Sequence, residues 1–192
     1  MDNVWLIAGL GNPGPEHMHN RHNVGFRTVD RLAEVLAVKF ARQKHHALLA
    51  SANRSGRNIL LAKPQNYMNL SGQAIAGLVR YYRIRPECLL VCSDDIDLPL
   101  GTIRIRPFGG SGGQRGVQSV IDELGTQEFP RLRIGVGRPP DRMDPAAYVL
   151  QDFSPAEQAV VEEILQRSAQ AVRTFLDEGL ERAMTGYNGD GP

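Results

Sequence analysis

Residues 4–25 read VWLIAGLGNPGPEHMHNRHNVG. Val4 to Ala8 is a continuous apolar run, as in a strand buried on both faces of a sheet. The connection that follows has almost no apolar residue and packs together Asn12, His17, His19, Asn20, His22 and Asn23. A loop this long and polar is explained by side chains that face a ligand rather than by packing. His22 then opens a helical pattern carried by Val24, Phe26, Val29, Leu32 and Leu36. A histidine therefore stands at a helix start just past the carboxyl end of a strand, where open α/β sheets bind ligands.

Outward from this unit, strands and helices alternate. Apolar runs predict strands over 4–9, 46–52, 58–63, 88–93, 102–106 and 132–137, and helical periodicity predicts helices over 23–37, 70–83, 115–125 and 155–178. The strands over 46–52 and 58–63, joined by Asn53–Arg57, read as a hairpin. The last helix has Ser154 as its cap, Pro155 at the first helical position, Glu157 to complete a capping box and Gly179 as its stop. The expected fold is α/β: a single-domain three-layer sandwich over residues 1–186, with a twisted, mixed but mostly parallel sheet flanked by helices. Residues 187–192 read as a disordered tail.

Composition narrows the class. A chain of 192 residues with 42% hydrophobic content suffices for one soluble domain with a full core. No apolar run reaches the length of a membrane span, and the amino terminus shows no signal pattern. Cys88 and Cys92 lie four apart on one predicted strand, too far to bridge, which fits a reducing cytoplasm. The net charge of +1 hides an asymmetry: residues 1–142 carry 19 Lys+Arg against 12 Asp+Glu, whereas residues 143–192 carry 3 against 9. Arginine supplies 19 of the 22 basic residues, which codon preference alone would explain. Position is more informative, because Arg104, Arg106, Arg115, Arg131, Arg133, Arg138 and Arg142 fall around a glycine-rich segment. That arrangement suits an anionic partner with phosphates.

Four clusters carry candidate chemistry. Gly9, Gly11 and Gly14 match a dinucleotide fingerprint, but Pro13 removes a needed N–H and the helix starts near residue 23. Asn12-Pro13-Gly14 reads instead as a turn that presents the Asn12 amide. His22 stands at a helix start, whose dipole favours neutral imidazole, the form a general base needs; His17, His19 and His22 lack the carboxylate or thiolate that would complete a metal set. Lys63–Gly72 places Met68 and Asn69 between a strand and a helix, where Asn69 either caps the helix or donates to a ligand. Asp94, Asp95 and Asp97 follow a strand, where a carboxylate binds Mg²⁺ or orients a histidine. Downstream, the loop from Phe108 to Gly116 leads glycines into a helix start, a natural phosphate site.

In one order the chain shows G-x-G-N-P-G, R-H-N-x-G, Y-M-N-x-S-G, D-D-x-D-L-P-x-G and a glycine loop before R-L-R-I-G-V-G. Over residues 3–186 this resembles bacterial-type peptidyl-tRNA hydrolase. The resemblance implies hydrolysis of the ester between a peptide and the 3′ ribose of tRNA, recycling tRNA from prematurely released peptidyl-tRNA. It implies a cytoplasmic monomer without metal or cofactor, holding the tRNA 3′ end, acceptor-stem phosphates and peptide backbone. It assigns His22 as catalytic base, Asp94 as the group that orients it, and Asn12 and Asn69 as contacts to peptide and reacting carbonyl. Arg106 and Arg133 fall on the phosphate clamp, and His17, Asn23, Met68 and Arg115 join them as substrate-binding candidates.

The chain departs from the family pattern at several positions. His17 stands for tyrosine, Asn20 and Asn66 for threonine, and Ser93 for histidine. Gln114 and Arg115 replace the histidine and asparagine of G-G-H-N-G, which puts the contacts at the tRNA 3′ end in question. Two other readings are a catalytically weakened RNA-binding relative of the same fold, which intact His22 and Asp94 oppose, and a nucleotide-dependent oxidoreductase, for which NAD(P)H binding is the test.

Overall fold

Residues 4–189 are described by the computed structural model. Seven strands form one sheet: β1 (Val4–Gly9), β2 (Arg42–Lys44), β3 (Ala47–Arg54), β4 (Arg57–Pro64), β5 (Leu89–Asp95), β6 (Ile103–Arg106) and β7 (Arg131–Gly135). Their spatial order is β2-β3-β4-β1-β5-β7-β6. The central strands β4, β1, β5 and β7 pair in parallel, and the outer pairs β2–β3, β3–β4 and β6–β7 are antiparallel. The predicted mixed, mostly parallel sheet is present, with the predicted hairpin as β3–β4.

Among the described residues six α-helices accompany the sheet: α1 (Val24–Val35), α2 (Ser71–Tyr82), α3 (Arg115–Leu124), α4 (Pro145–Val149), α5 (Gln158–Glu178) and α6 (Leu180–Tyr187). The apolar run of β1 feeds two cores, because its residues alternate between the faces of the sheet. Ile7 packs with Val29 and Leu32 of α1 and with Leu165, Val172 and Phe175 of α5. Leu6 and Ala8 pack with Ile75 and Leu78 of α2 and with Val117 and Val120 of α3. This is the three-layer sandwich.

The start of α1 is drawn tightly onto the strand ends. A Cβ on Gly25 would lie 2.5 Å from the carbonyl oxygens of both Leu10 and Cys92. Only glycine permits that approach. It brings the residues just before α1, His22 among them, over the ends of β1 and β5.

The structure corrects several expectations. Arg42–Lys44 forms an exposed edge strand too short and polar to show a pattern. Helix α5 starts at Gln158 rather than Pro155, and Glu157 accepts a hydrogen bond from the Ser154 N–H at 2.7 Å, so only half of the capping box forms. Gly179 ends α5 with a φ of 93°, but α6 follows at once. The tail does not begin at 187: Tyr187 ends α6, and the Asn188 side chain receives the Ile105 N–H at 2.6 Å and donates to the Ile105 carbonyl at 3.0 Å. Those are free edge groups of β6, which an edge strand needs covered. The rest of the expected tail, residues 190–192, lies outside the described residues. Cys88 ends a 3₁₀ turn ahead of β5 instead of sharing the strand with Cys92. Both thiols are buried and unpaired, and burial pushes Cys92 up to about 12. No described helix is long and apolar enough to cross a membrane.

Candidate active site

The carboxyl ends of β1, β4 and β5 open onto one cavity of about 890 Å³, to which β7 adds the side chains of Arg131 and Arg133. The loop after β1 carries two 3₁₀ turns, Pro15–His17 and Arg21–Asn23, and the second brings His22 to the cavity. Arg21 anchors the second turn. Its guanidinium lies 4.5 Å from the Tyr148 ring centroid and 4.7 Å from that of Phe153, and pairs with Glu157 at 3.0 Å. The neighbouring His22 is thereby held at the cavity wall.

His22 Nδ1 lies 2.9 Å from both carboxylate oxygens of Asp94, which sits on β5 and is 3% exposed. A ring nitrogen facing a carboxylate carries the proton, so Nε2 keeps its lone pair. The three acids after β5 do not converge on a cation site. Asp94 faces His22, Asp95 accepts from Arg133 Nε at 2.5 Å, and Asp97 accepts from Arg138 at 2.8 Å. Among the described residues no group of three His, Cys, Asp or Glu is placed to hold a metal ion.

Asn12 lines the cavity with its amide oriented by the backbone: Oδ1 accepts the Met68 N–H at 2.8 Å, which leaves Nδ2 as a donor. Asn69 also lines the cavity and caps nothing, since neither Met68–Leu70 nor α2 takes a side-chain cap. Asn23 is buried and spends both ends of its amide on Asn12, accepting its N–H and donating to its carbonyl at 2.9 Å each. It therefore holds the Asn12 turn and does not reach the cavity. His17 does not line the cavity either; its Nδ1 meets Asn20 Nδ2 at 3.3 Å within the loop.

The far wall is cationic and apolar. Arg106, Arg115 and Arg133 line it as predicted, beside Arg131. Arg131 is held below the usual arginine range by burial and then by nearby Arg133. It donates to the Gly110 carbonyl at 2.7 Å and so ties down the glycine loop. Tyr67, Met68, Phe108, Val149 and Leu150 add apolar surface. The wall supplied by α4 was missed, because five residues show no period, although Asp144 before Pro145 is a start signal and does cap Ala147 N–H at 3.2 Å. In the sequence Gln114 stands out only as a departure from the family pattern. It lies at the cavity and donates to Asp94 Oδ1 at 2.9 Å.

A histidine paired with a buried carboxylate, amides beside it and arginines opposite make an arrangement suited to hydrolysis of an anionic substrate. No serine or cysteine among the described residues bonds to the histidine as a nucleophile. Comparison with known proteins gives the family. The sequence profile of the family described as "Peptidyl-tRNA hydrolase" matches residues 6–191. The peptidyl-tRNA hydrolase of Chloroflexus aurantiacus is 50% identical over 186 residues, covering 96% of this chain and 99% of the relative. That of Mycobacterium tuberculosis is 46% identical over 179 residues, covering 93% and 94%. The crystal structure of the Acinetobacter baumannii peptidyl-tRNA hydrolase superposes with a TM-score of 0.91 at 33% identity, covering 98% of this chain and 96% of that one. The chain belongs to the peptidyl-tRNA hydrolase family.

Proposed function

We propose that this chain hydrolyses the ester joining peptide to the 3′ ribose of tRNA by direct attack of water, and so recycles tRNA from prematurely released peptidyl-tRNA. The observation that carries the reading is His22, with Nδ1 paired to buried Asp94 and the ring lining the cavity. Nε2 takes a proton from the attacking water, and Asp94 stabilises the imidazolium that forms. Asn12 Nδ2 or Asn69 donates to the developing oxyanion, a contribution of about 3–4 kcal/mol for one well-aimed donor. Arg106 and Arg133 hold phosphates of the tRNA and give affinity without reading bases. Peptide sequence varies between substrates, so the apolar surface of Met68, Tyr67 and Leu150 serves side chains loosely while directed bonds go to the backbone. Two cysteines buried without a disulfide suit the reducing cytoplasm.

Release of peptide from purified peptidyl-tRNA tests the reading. His22→Ala is expected to fold normally and lose about 10²–10⁴ in rate, the usual contribution of a general base. Retention of more than a tenth of the activity would remove His22 from the chemistry.

A further inference from the structure

Gln114 links two features that the reaction uses separately. It is the N-cap of α3, accepting the Val117 N–H on Oε1 at 2.8 Å. That bond fixes the orientation of the amide, because a backbone N–H can be accepted only by the oxygen. The NH₂ end is thereby turned inward, 2.9 Å from Asp94 Oδ1 and 3.2 Å from Met68 Sδ. Asp94 Oδ1 in turn faces His22 Nδ1 at 2.9 Å. One amide therefore spans from the end of the glycine loop, over Gly112 and Gly113 with φ of 60° and 85°, to the carboxylate behind the general base.

We infer that Gln114 is a positioning residue for hydrolysis: it fixes the Asp94 carboxylate and moderates its hold on His22, and it ties that pair to the loop that meets the RNA end. Two donors share Asp94. Each bond to the carboxylate disperses its charge, so the amide weakens the pull on an imidazolium. Being neutral at every pH, the amide gives this service without a titration of its own, unlike the histidine that the family commonly carries there. The inference rests on the assignment of His22 as base.

The test uses two variants with different structural consequences. Gln114→Ala removes both the cap and the donor. Gln114→Glu keeps an oxygen to cap Val117 and keeps the length, but sets a carboxylate against Asp94. Single-turnover hydrolysis across pH is measured alongside tRNA binding and melting. Gln114→Ala is expected to lower the rate about tenfold, as for a lost bond to a charged group, with binding within threefold. Gln114→Glu is expected to keep the fold but to melt lower than the natural chain, because its carboxylate is held against buried Asp94, and to lose at least as much rate. Both should move the acid limb of the rate profile to higher pH, Gln114→Glu further, because a less shared carboxylate and then an added negative charge hold the imidazolium more firmly. The other charges around the cavity, Asp95 with Arg133, Arg106, Arg115, Arg131 and Asp144, are the same in all three proteins. If Gln114→Glu matched the natural chain in rate and in its acid limb, Gln114 would be a helix cap alone and the inference would fall. Failure of the reading of His22 is separate, since it appears as an active His22→Ala protein.

Discussion

Asp94→Asn is the sharpest perturbation of the site, because it replaces one carboxylate oxygen by NH₂ and removes the charge at nearly constant shape. Asp94 Oδ1 stands between two donors, His22 Nδ1 and Gln114 Nε2, each at 2.9 Å, and Oδ2 lies 2.9 Å from His22 Nδ1. Asparagine can keep its oxygen at only one of those positions. With oxygen at the shared position, the amide NH₂ faces Nδ1–H across 2.9 Å, a contact between two donors. With the amide flipped, the NH₂ faces the donor of Gln114 instead. The imidazole relieves the first clash by moving its proton to Nε2, the nitrogen that accepts one from water in the proposed mechanism. In the Ser–His–Asp proteases the corresponding exchange costs about 10⁴ in kcat. A water-attack enzyme has the general-base contribution to lose, about 10²–10⁴, or about 2.7–5.4 kcal/mol in the barrier. Single-turnover peptide release should fall within that range while KM stays within threefold and the circular dichroism spectrum is unchanged. A loss below tenfold, or a loss carried by KM, would refute the claim that Asp94 acts by setting the tautomer of His22.

Three further outcomes are expected. Arg106→Ala and Arg133→Ala should each weaken tRNA binding and flatten its salt dependence by about 0.7–0.9 per lost contact. The loss should be greater for Arg133→Ala, since it also strips Asp95 of its 2.5 Å partner and leaves a carboxylate facing the RNA; binding titrations from low to high salt check this, and an unchanged slope would place the phosphates elsewhere. Arg115 is the exposed first residue of α3 at the cavity. Arg115→Asn should weaken binding about threefold, make it less sensitive to salt and leave the chemical step within tenfold, whereas a hundredfold gain in chemical rate would mark the natural chain as catalytically weakened. Gly25→Ala should cost more than about 3 kcal/mol in urea unfolding, because its Cβ would meet backbone atoms of Leu10 and Cys92 at 2.5–2.6 Å that cannot yield as a side chain does; a loss under 1 kcal/mol would show that α1 slides freely on the sheet.

The parts of this protein that were legible in its sequence are those where one residue type admits few uses. Apolar runs such as Val4–Ala8 mean a strand covered on both sides, and the four central strands follow from them. A histidine at a strand end and a carboxylate at the next strand end have few reasons to be there except each other. Elements without a period were hidden: β2 is three polar residues and α4 is five. Long-range bonds were hidden too. Nothing local to Gln114 points to Asp94, twenty residues away in the chain. Amides show the limit most clearly. Asn12 and Asn23 lie in the same loop, and both belong to motifs that suggest contact with substrate. Yet a buried turn must satisfy its own N–H and C=O, and Asn23 does this for Asn12 with both ends of its side chain. Asn12, fixed at its oxygen by Met68, is left with Nδ2 to offer. A motif names which residues gather at a site, whereas the allocation of their hydrogen bonds decides which atoms remain to act on a substrate.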